Sequence, residues 1–328
     1  MQAWVVEKNE QRQIDDLQFI QIATPAPGAD ELLVKVHSVG LNPVDYKVIE
    51  GGVATWHYPH VVGLDVAGEV VAIGTDVSQF TVGERVFYHG DLTRQGGFAE
   101  FATPKADVVA KMPADLTYAQ AAALLCGAMT AYQAIFRKAS LTNRHTALIH
   151  AGAGGVGGIA IQLAKLAGLK VLTTVSKRKQ AFVTNLHPDF MIDYRTQNVT
   201  QVVQQLTAGL GVDLIVNTIG AKAATADLDR LAYNGALVTI DGQPDLRASD
   251  YARRGIGVFS VNLGGAHQSK NPQQRQDLAK MATELGNLVV AHKLNPLVER
   301  QISFQEIPQG LQAIKAHEVI GKIVANWD

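Results

Sequence analysis

The segment "HAGAGGVGG" places Gly152, Gly154 and Gly157 at the spacing G-x-G-x-x-G, after the apolar run "TALI" and before a helical pattern. A dinucleotide pyrophosphate needs that context. Gly152 allows a tight turn, Gly154 keeps side-chain atoms off the phosphates, and Gly157 lets the helix lie close on the strand. The helix begins at Val156, directly after Gly155, so the phosphate charge falls at its N-terminus.

A site selective for NAD carries an acid at the end of the second strand to hold the ribose 2′-hydroxyl. Here that strand, "VLTTV", ends in Ser176, Lys177, Arg178 and Lys179. A carboxylate would repel a 2′-phosphate, whereas cations and a hydroxyl hold it through charge-assisted hydrogen bonds. Cations on a first helical turn also oppose the helix dipole unless an anion binds there. The expected cofactor is therefore NADPH, with Tyr194 and the adjacent Arg195 lining the same pocket. Further contacts fall at the carboxyl ends of later strands: Gly220, then Ile240 and Gly242, then Asn262 and Leu263 near the carboxamide.

Cys126 in "LLCGAMTAY" is the only cysteine of the chain and reads as a metal ligand, a reactive thiol or a small apolar filler. His57 and His60 in "WHYPH" have a spacing able to supply two metal ligands. No acid or cysteine lies close to them in sequence, and a polar pocket rim is the simpler reading. His89, followed by Asp91, shows nothing more. No G-x-S-x-G is present, which removes the serine hydrolase elbow.

The elements that must position these residues change character along the chain. From Met1 to about Lys111, short β-rich runs divided by Gly and Pro read as a compact all-β unit. Beyond it, strands alternate with helices over 156–167, 177–186, 199–208 and 221–231, and "IGVFSVNL" closes the series. Such alternation builds a doubly wound parallel sheet, so the fold class is α/β. Residues 118–136 read as one buried helix and not a membrane span, because Gln120, Thr130 and Gln133 interrupt it and its alanines suit close packing. A helix over 273–291 and a mixed tail return to the first unit. The expected division is 1–122, 123–265 and 266–328.

Composition narrows the partners. A chain of 328 residues with 47% hydrophobic and 18% charged residues folds, and its net charge of -1 comes without any long block of like charge. A nucleic-acid arm and a polybasic membrane patch are excluded, which leaves a small-molecule partner. A single cysteine, and an N-terminus lacking an apolar core of signal length, point to a reducing cytoplasm.

Three segments in order, "VHSVGLNPVDYKVIEGG", "PHVVGLDVAGEVVAIGTDVSQFTVGERV" and "HAGAGGVGGIAIQLAKLAG", resemble the medium-chain dehydrogenase/reductase superfamily. The resemblance is to its zinc-independent quinone oxidoreductase, or zeta-crystallin-like, branch. It implies a GroES-like β-rich catalytic domain and a Rossmann domain. The zinc-ligand positions of related alcohol dehydrogenases are matched here by Asn42, Leu64 and Cys126, and their relay histidine by Lys47. Leucine cannot ligate and catalytic zinc needs three protein donors, so no metal is expected. The four-cysteine structural zinc lobe is absent as well.

By the same resemblance Asn42 lies near the nicotinamide ribose, and Thr130 faces the cofactor. Tyr46 is the candidate to orient or protonate the substrate, with simple packing beside the site as its alternative. Asp45 is expected to fix local structure. Lys322 reads either as a pyrophosphate contact or, more simply, as a surface lysine near the terminus. Without a Lewis acid the alkoxide of a simple carbonyl is poorly served, but a reduced quinone or α,β-unsaturated carbonyl spreads its charge. The expectation is an NADPH-dependent reductase of quinones or enones. The alternatives are a zinc-independent alcohol or aldehyde reductase and a non-catalytic, crystallin-like NADPH-binding protein. The last strand at a sheet edge, with the resemblance, implies a homodimer with a continuous sheet.

Overall fold

The computed structural model describes residues 1–7 and 12–327. Contacts divide the chain into two units, Met1–Met129 with Gly264–Asp328, and Thr130–Leu263.

The second unit is built on a six-stranded sheet in the order Phe190–Asp193, Lys170–Val175, Thr146–Ile149, Val212–Asn217, Leu231–Thr239, Gly257–Ser260. Every pairing is parallel. Runs such as "VLTTV" and "LIVN" are buried on both faces, as strands covered by helices on each side must be. Leu148, Leu172, Ile215 and Leu237 join the core on one face. The strand order reverses between Thr146–Ile149 and Val212–Asn217, and such a reversal opens a ligand crevice at the carboxyl edge. The helix expected over 177–186 opens instead as a tight 3-10 turn, Lys177–Lys179, before Gln180–Thr184.

The first unit holds a seven-stranded, largely antiparallel sheet. Its path runs Val298–Ser303, Lys322–Asn326, Leu32–Gly40, Asp65–Ile73, Arg85–His89, Ala110–Lys111, and Phe101–Ala102 also pairs with Leu32–Gly40. A smaller sheet joins Gln2–Val6 to Gln18–Gln21 and His60–Val61.

Two further elements differ from the sequence reading. The all-β unit contains a helix, Pro43–Gly51, which begins on a proline and is closed at its start by the Asn42 amide donating to Asp45 Oδ2 at 2.8 Å. A start signal of that kind was present in "NPVD". The single helix over 118–136 is broken into Tyr118–Ala123 and Cys126–Tyr132, followed by a π-helical turn, Gln133–Lys138. A tight turn at Leu124, whose amide bonds Ala121, makes the break. It leaves the Cys126 amide outside any helical ladder, and a side chain takes it up. Among the described residues no helix is long and apolar enough to cross a membrane.

Candidate active site

Because all six strands of the second unit run in parallel, the residues that follow them collect along one edge. The glycine loop follows Thr146–Ile149, Ser176 follows Lys170–Val175, and Tyr194 follows Phe190–Asp193. Gly220 follows Val212–Asn217, Ile240 and Gly242 follow Leu231–Thr239, and Asn262 and Leu263 lie just past Gly257–Ser260. Sequence and topology thus bring the expected cofactor residues of this unit to one place. Within the loop the left-handed turn falls on Ala151, at φ 53°, and not on Gly152. A Cβ on Gly152 would meet Thr173 Oγ1 at 2.3 Å, and one on Gly157 would meet the Ala151 carbonyl at 2.3 Å. Those two glycines are needed for packing. A Cβ on Gly154 would meet nothing nearer than 3.4 Å, so the space before the N-terminus of Gly155–Leu166 is free for a phosphate.

Beside that loop, Lys177 and Arg178 are exposed and Ser176 is buried at the cap of the turn. Tyr194 is 52% exposed, next to the exposed Arg195. Burial, and then the charges of Arg178 and Arg195, push the Lys179 ammonium below its usual range. Lys179, Arg178 and Arg195 thus lie close enough to act on one another, a setting that favours an anion.

Under the loop lies a buried polar network that the sequence did not announce. His150 Nε2 meets Asp227 Oδ1 at 2.9 Å, and its Nδ1 meets Thr174 Oγ1 at 3.2 Å. Asp227 also accepts from Asn217 Nδ2 at 2.6 Å and from Arg230 at 2.7 Å. Asn217 Oδ1 in turn caps the Ile219 and Gly220 amides. Burial alone would raise the Asp227 carboxyl, but His150, Asn217 and Arg230 hold it below its ordinary value. Two strand ends that carry expected cofactor residues are tied directly to this carboxylate, and a third, Lys170–Val175, reaches it through Thr174 and His150.

In the first unit, Asn42, Asp45, Asp65 and Lys322 form a second buried cluster. Asp65 Oδ1 accepts the freed Cys126 amide at 2.9 Å, and Oδ2 accepts Asn42 Nδ2 at 2.8 Å. Lys322 Nζ donates to Asn42 Oδ1 at 2.7 Å and to the Leu41 carbonyl at 3.0 Å, and lies 3.6 Å from Asp65 Oδ2. Lys322 is therefore not a surface lysine: it is 4% exposed, and its charge is matched by Asp65. Asn42 is 3% exposed and engaged on both amide atoms, whereas Tyr46 is half-buried and Lys47 exposed. Thr130, 5% exposed, lies on the helix Cys126–Tyr132. Asp65 sits next to Leu64 in "GLD", so the acid was in plain view. Lys322 is harder to find, because both faces of its strand are buried.

Burial, reinforced by the neighbouring Asp65 and Asp45 carboxyls, pushes the Cys126 thiol well above its usual range. A reactive thiolate is thereby disfavoured. Cys126, Asp65 and His89 bring one ligand atom each within 4.8 Å of one another. As arranged the set does not suit a cation: both Asp65 oxygens are occupied, Lys322 stands beside them, and Leu64 offers no donor. His57 and His60 belong to no such group of ligand atoms among the described residues. His57 is exposed, while His60, expected at a polar rim, is 2% exposed and stacked on Trp56 with ring centroids 4.0 Å apart. Burial pushes its imidazole down to about 4.

Asp45 carries a testable consequence. Burial, and next the Asp65 charge, raise its carboxyl from 3.8 to about 8. Between those values the folded chain holds a proton that the unfolded chain has released. Its contribution to stability is thus full below 3.8 and lost as the pH rises through about 8, at up to about 1.4 kcal/mol per pH unit. Asp45→Asn should remove this slope, so its Tm relative to the parent climbs across that window. A difference that stays flat with pH contradicts the assignment.

Two family descriptions match the sequence, an alcohol dehydrogenase GroES-like domain over residues 28–114 and a zinc-binding dehydrogenase over residues 186–324. The chain is 31% identical to the quinone oxidoreductase of Homo sapiens, over 91% of this chain and 88% of the human one. It is 30% identical to a mitochondrial NAD(P)H oxidoreductase of Danio rerio, over 99% of this chain and 91% of that one. A mycobacterial protein solved in complex with NADPH matches with a TM-score of 0.86 at 27% identity, over 99% of this chain and 100% of the other.

Proposed function

The chain belongs to the quinone oxidoreductase-like branch of the medium-chain dehydrogenase/reductase superfamily, and from that premise we propose that it reduces quinones or α,β-unsaturated carbonyls with NADPH and without a metal. NAD(P)H-dependent oxidoreductase activity is the property of the family, and the cofactor choice and acceptor class are our reading. One observation carries it. Leu64 stands where a zinc site needs a donor, and the acid beside it, Asp65, is committed to Asn42, Lys322 and the Cys126 amide. A site without a Lewis acid favours acceptors that delocalise the charge they receive.

In this reading Gly152, Gly154, Gly155, Val156 and Gly157 take the pyrophosphate. Ser176, Lys177, Arg178 and Tyr194 take the 2′-phosphate. Thr130, Gly220, Ile240, Gly242, Asn262 and Leu263 border the rest of the cofactor, which supplies the hydride when bound. Asn42, held from both sides by Asp65 and Lys322, positions the reacting groups, and the Tyr46 hydroxyl orients the acceptor. A reducing compartment suits the lone cysteine. The test is NADPH oxidation with a quinone, an enone and a simple aldehyde. Turnover confined to the first two is expected. Turnover of the aldehyde alone would favour the alcohol or aldehyde reductase alternative, and tight NADPH binding without any turnover would favour a binding protein.

The reading includes a homodimer. Gly257–Ser260 ends the strand order of its sheet, and Phe259 within it is 37% exposed. An uncovered edge invites a second strand, here the same one from another copy. Light scattering at micromolar concentration should give twice the 35.2 kDa chain mass. A monomer at that concentration overturns the dimer.

A further inference from the structure

The proposed reduction consumes a proton as well as a hydride, and that proton must come from solvent. His89 offers a route. It is the cross-strand partner of Asp65, is 2% exposed, and has a ring nitrogen within 4.8 Å of the Asp65 and Cys126 ligand atoms. Its Nδ1 lies 3.4 Å from Nε2 of His267, on the turn Gly264–Gln268. The two ring planes are within 18° of parallel, with centroids 5.7 Å apart. That separation exceeds the N···N distance by about the two centroid-to-nitrogen radii of imidazole. The nitrogens therefore lie nearly on the line joining the rings, where an N–H of one points at the lone pair of the other.

His267 also lines a cavity of about 240 Å³ together with Asp91, Asp107, Arg94 and Arg275. Asp107, bonded to Arg275 at 2.8 Å through Oδ2, has a buried Oδ1 without a protein partner among the described residues. A buried acceptor of that kind in a polar cavity of this size is satisfied by water. The pair thus reaches from a wet, charged cavity to the Asp65–Cys126 floor.

We propose that His267 and His89 form a two-imidazole proton relay that supplies the acceptor. This rests on the quinone or enone reading above. The acceptor gains a C–H or O–H bond as the hydride arrives with both electrons, and is left as a conjugated oxyanion. His89 gives that oxyanion a proton through one water and takes another from His267. His267 is resupplied from cavity water, so the solvent loses one proton per turnover. Neither ring need become a cation, since a neutral imidazole accepts at one nitrogen while donating at the other. That suits their surroundings. Burial, helped by His267 and Lys322, pushes His89 down to about 3, and burial lowers His267 against the pull of Asp91 and Asp107.

His267→Gln keeps a donor and an acceptor but cannot pass a proton through its side chain. We expect kcat with a quinone or enone to fall about 10-fold or more at unchanged KM for NADPH, and the solvent deuterium isotope effect on kcat to rise. Added imidazole should restore part of the rate. An unchanged kcat and isotope effect overturns the relay, as does a loss of kcat with no isotope effect and no rescue. A second readout needs no acceptor: exchange of the His89 ring proton with solvent, followed by ¹⁵N NMR in the NADPH-bound protein. Slower exchange in the variant supports the relay, and equal exchange overturns it. Parent protein that turns over no quinone or enone would instead overturn the functional reading.

Discussion

Replacing Lys177 and Arg178 together by alanine is expected to raise the KM for NADPH by roughly 100-fold, and to change the KM for NADH by less than about 3-fold. Both side chains are exposed at the end of Lys170–Val175. Each is therefore assigned the low end of a charge-assisted hydrogen bond, about 1.4 kcal/mol or one factor of ten. The 2′-phosphate is remote from the reacting carbon, so its contacts act alike in the ground and transition states, and kcat should hold. The competing view makes Lys177–Lys179 an ordinary solvated turn. The shift of Lys179 speaks against it, because burial and the neighbouring Arg178 and Arg195 already disfavour its charge. Steady-state kinetics with both cofactors discriminate. Equal effects on NADPH and NADH would remove the 2′-phosphate assignment.

Asp227→Ala is expected to destabilise the protein by about 3–5 kcal/mol, the cost of stranding buried partners of a removed charge. Asp227 is 0% exposed and is the shared acceptor for His150, Asn217 and Arg230. Without it Arg230 loses its ion pair and keeps its bond to Thr200 Oγ1, and the Asn217 cap over Ile219 and Gly220 loses its anchor. Asp227→Asn keeps one acceptor oxygen and should lose less, about 1–3 kcal/mol. Urea unfolding of the three proteins measures the order. An Asp227→Ala protein as stable as the parent would mean that the network is not anchored where the structure places it.

These two sites mark how far the sequence could be read. The strand, glycine turn and helix of the proposed phosphate loop were legible because they are contiguous. The cationic end of the second strand was legible because absence of an acid at one counted position is a local fact. The six-strand alternation followed from runs long enough to show their period. The two buried clusters were not legible. His150 and Asp227 are 77 positions apart, and Asn42 and Lys322 are 280 apart, so only the folded sheet order brings them together. Lys322 in "GKIV" gave no sign of its face, because its strand is buried on both sides. The helix break before Cys126 was hidden for a different reason. Leucine and alanine favour helix throughout "AAALLCGAM", and the turn at Leu124 is set by tertiary packing and by the Asp65 carboxylate waiting for the Cys126 amide.

That amide sharpens the reading of the lone cysteine. Cys126 contributes to its site through the backbone, by holding Asp65, while its thiol stays protonated. In the proposed reading Asp65, so held and matched by Lys322, serves the site as a positioning group and not as a metal ligand.

The central claim, that this chain reduces conjugated acceptors with NADPH and no metal, is tested most directly by kcat/KM for a quinone before and after exhaustive dialysis against a chelator, with a zinc-resupplied sample alongside. The account predicts one value in all three samples. Activity lost on dialysis and restored by zinc would contradict it.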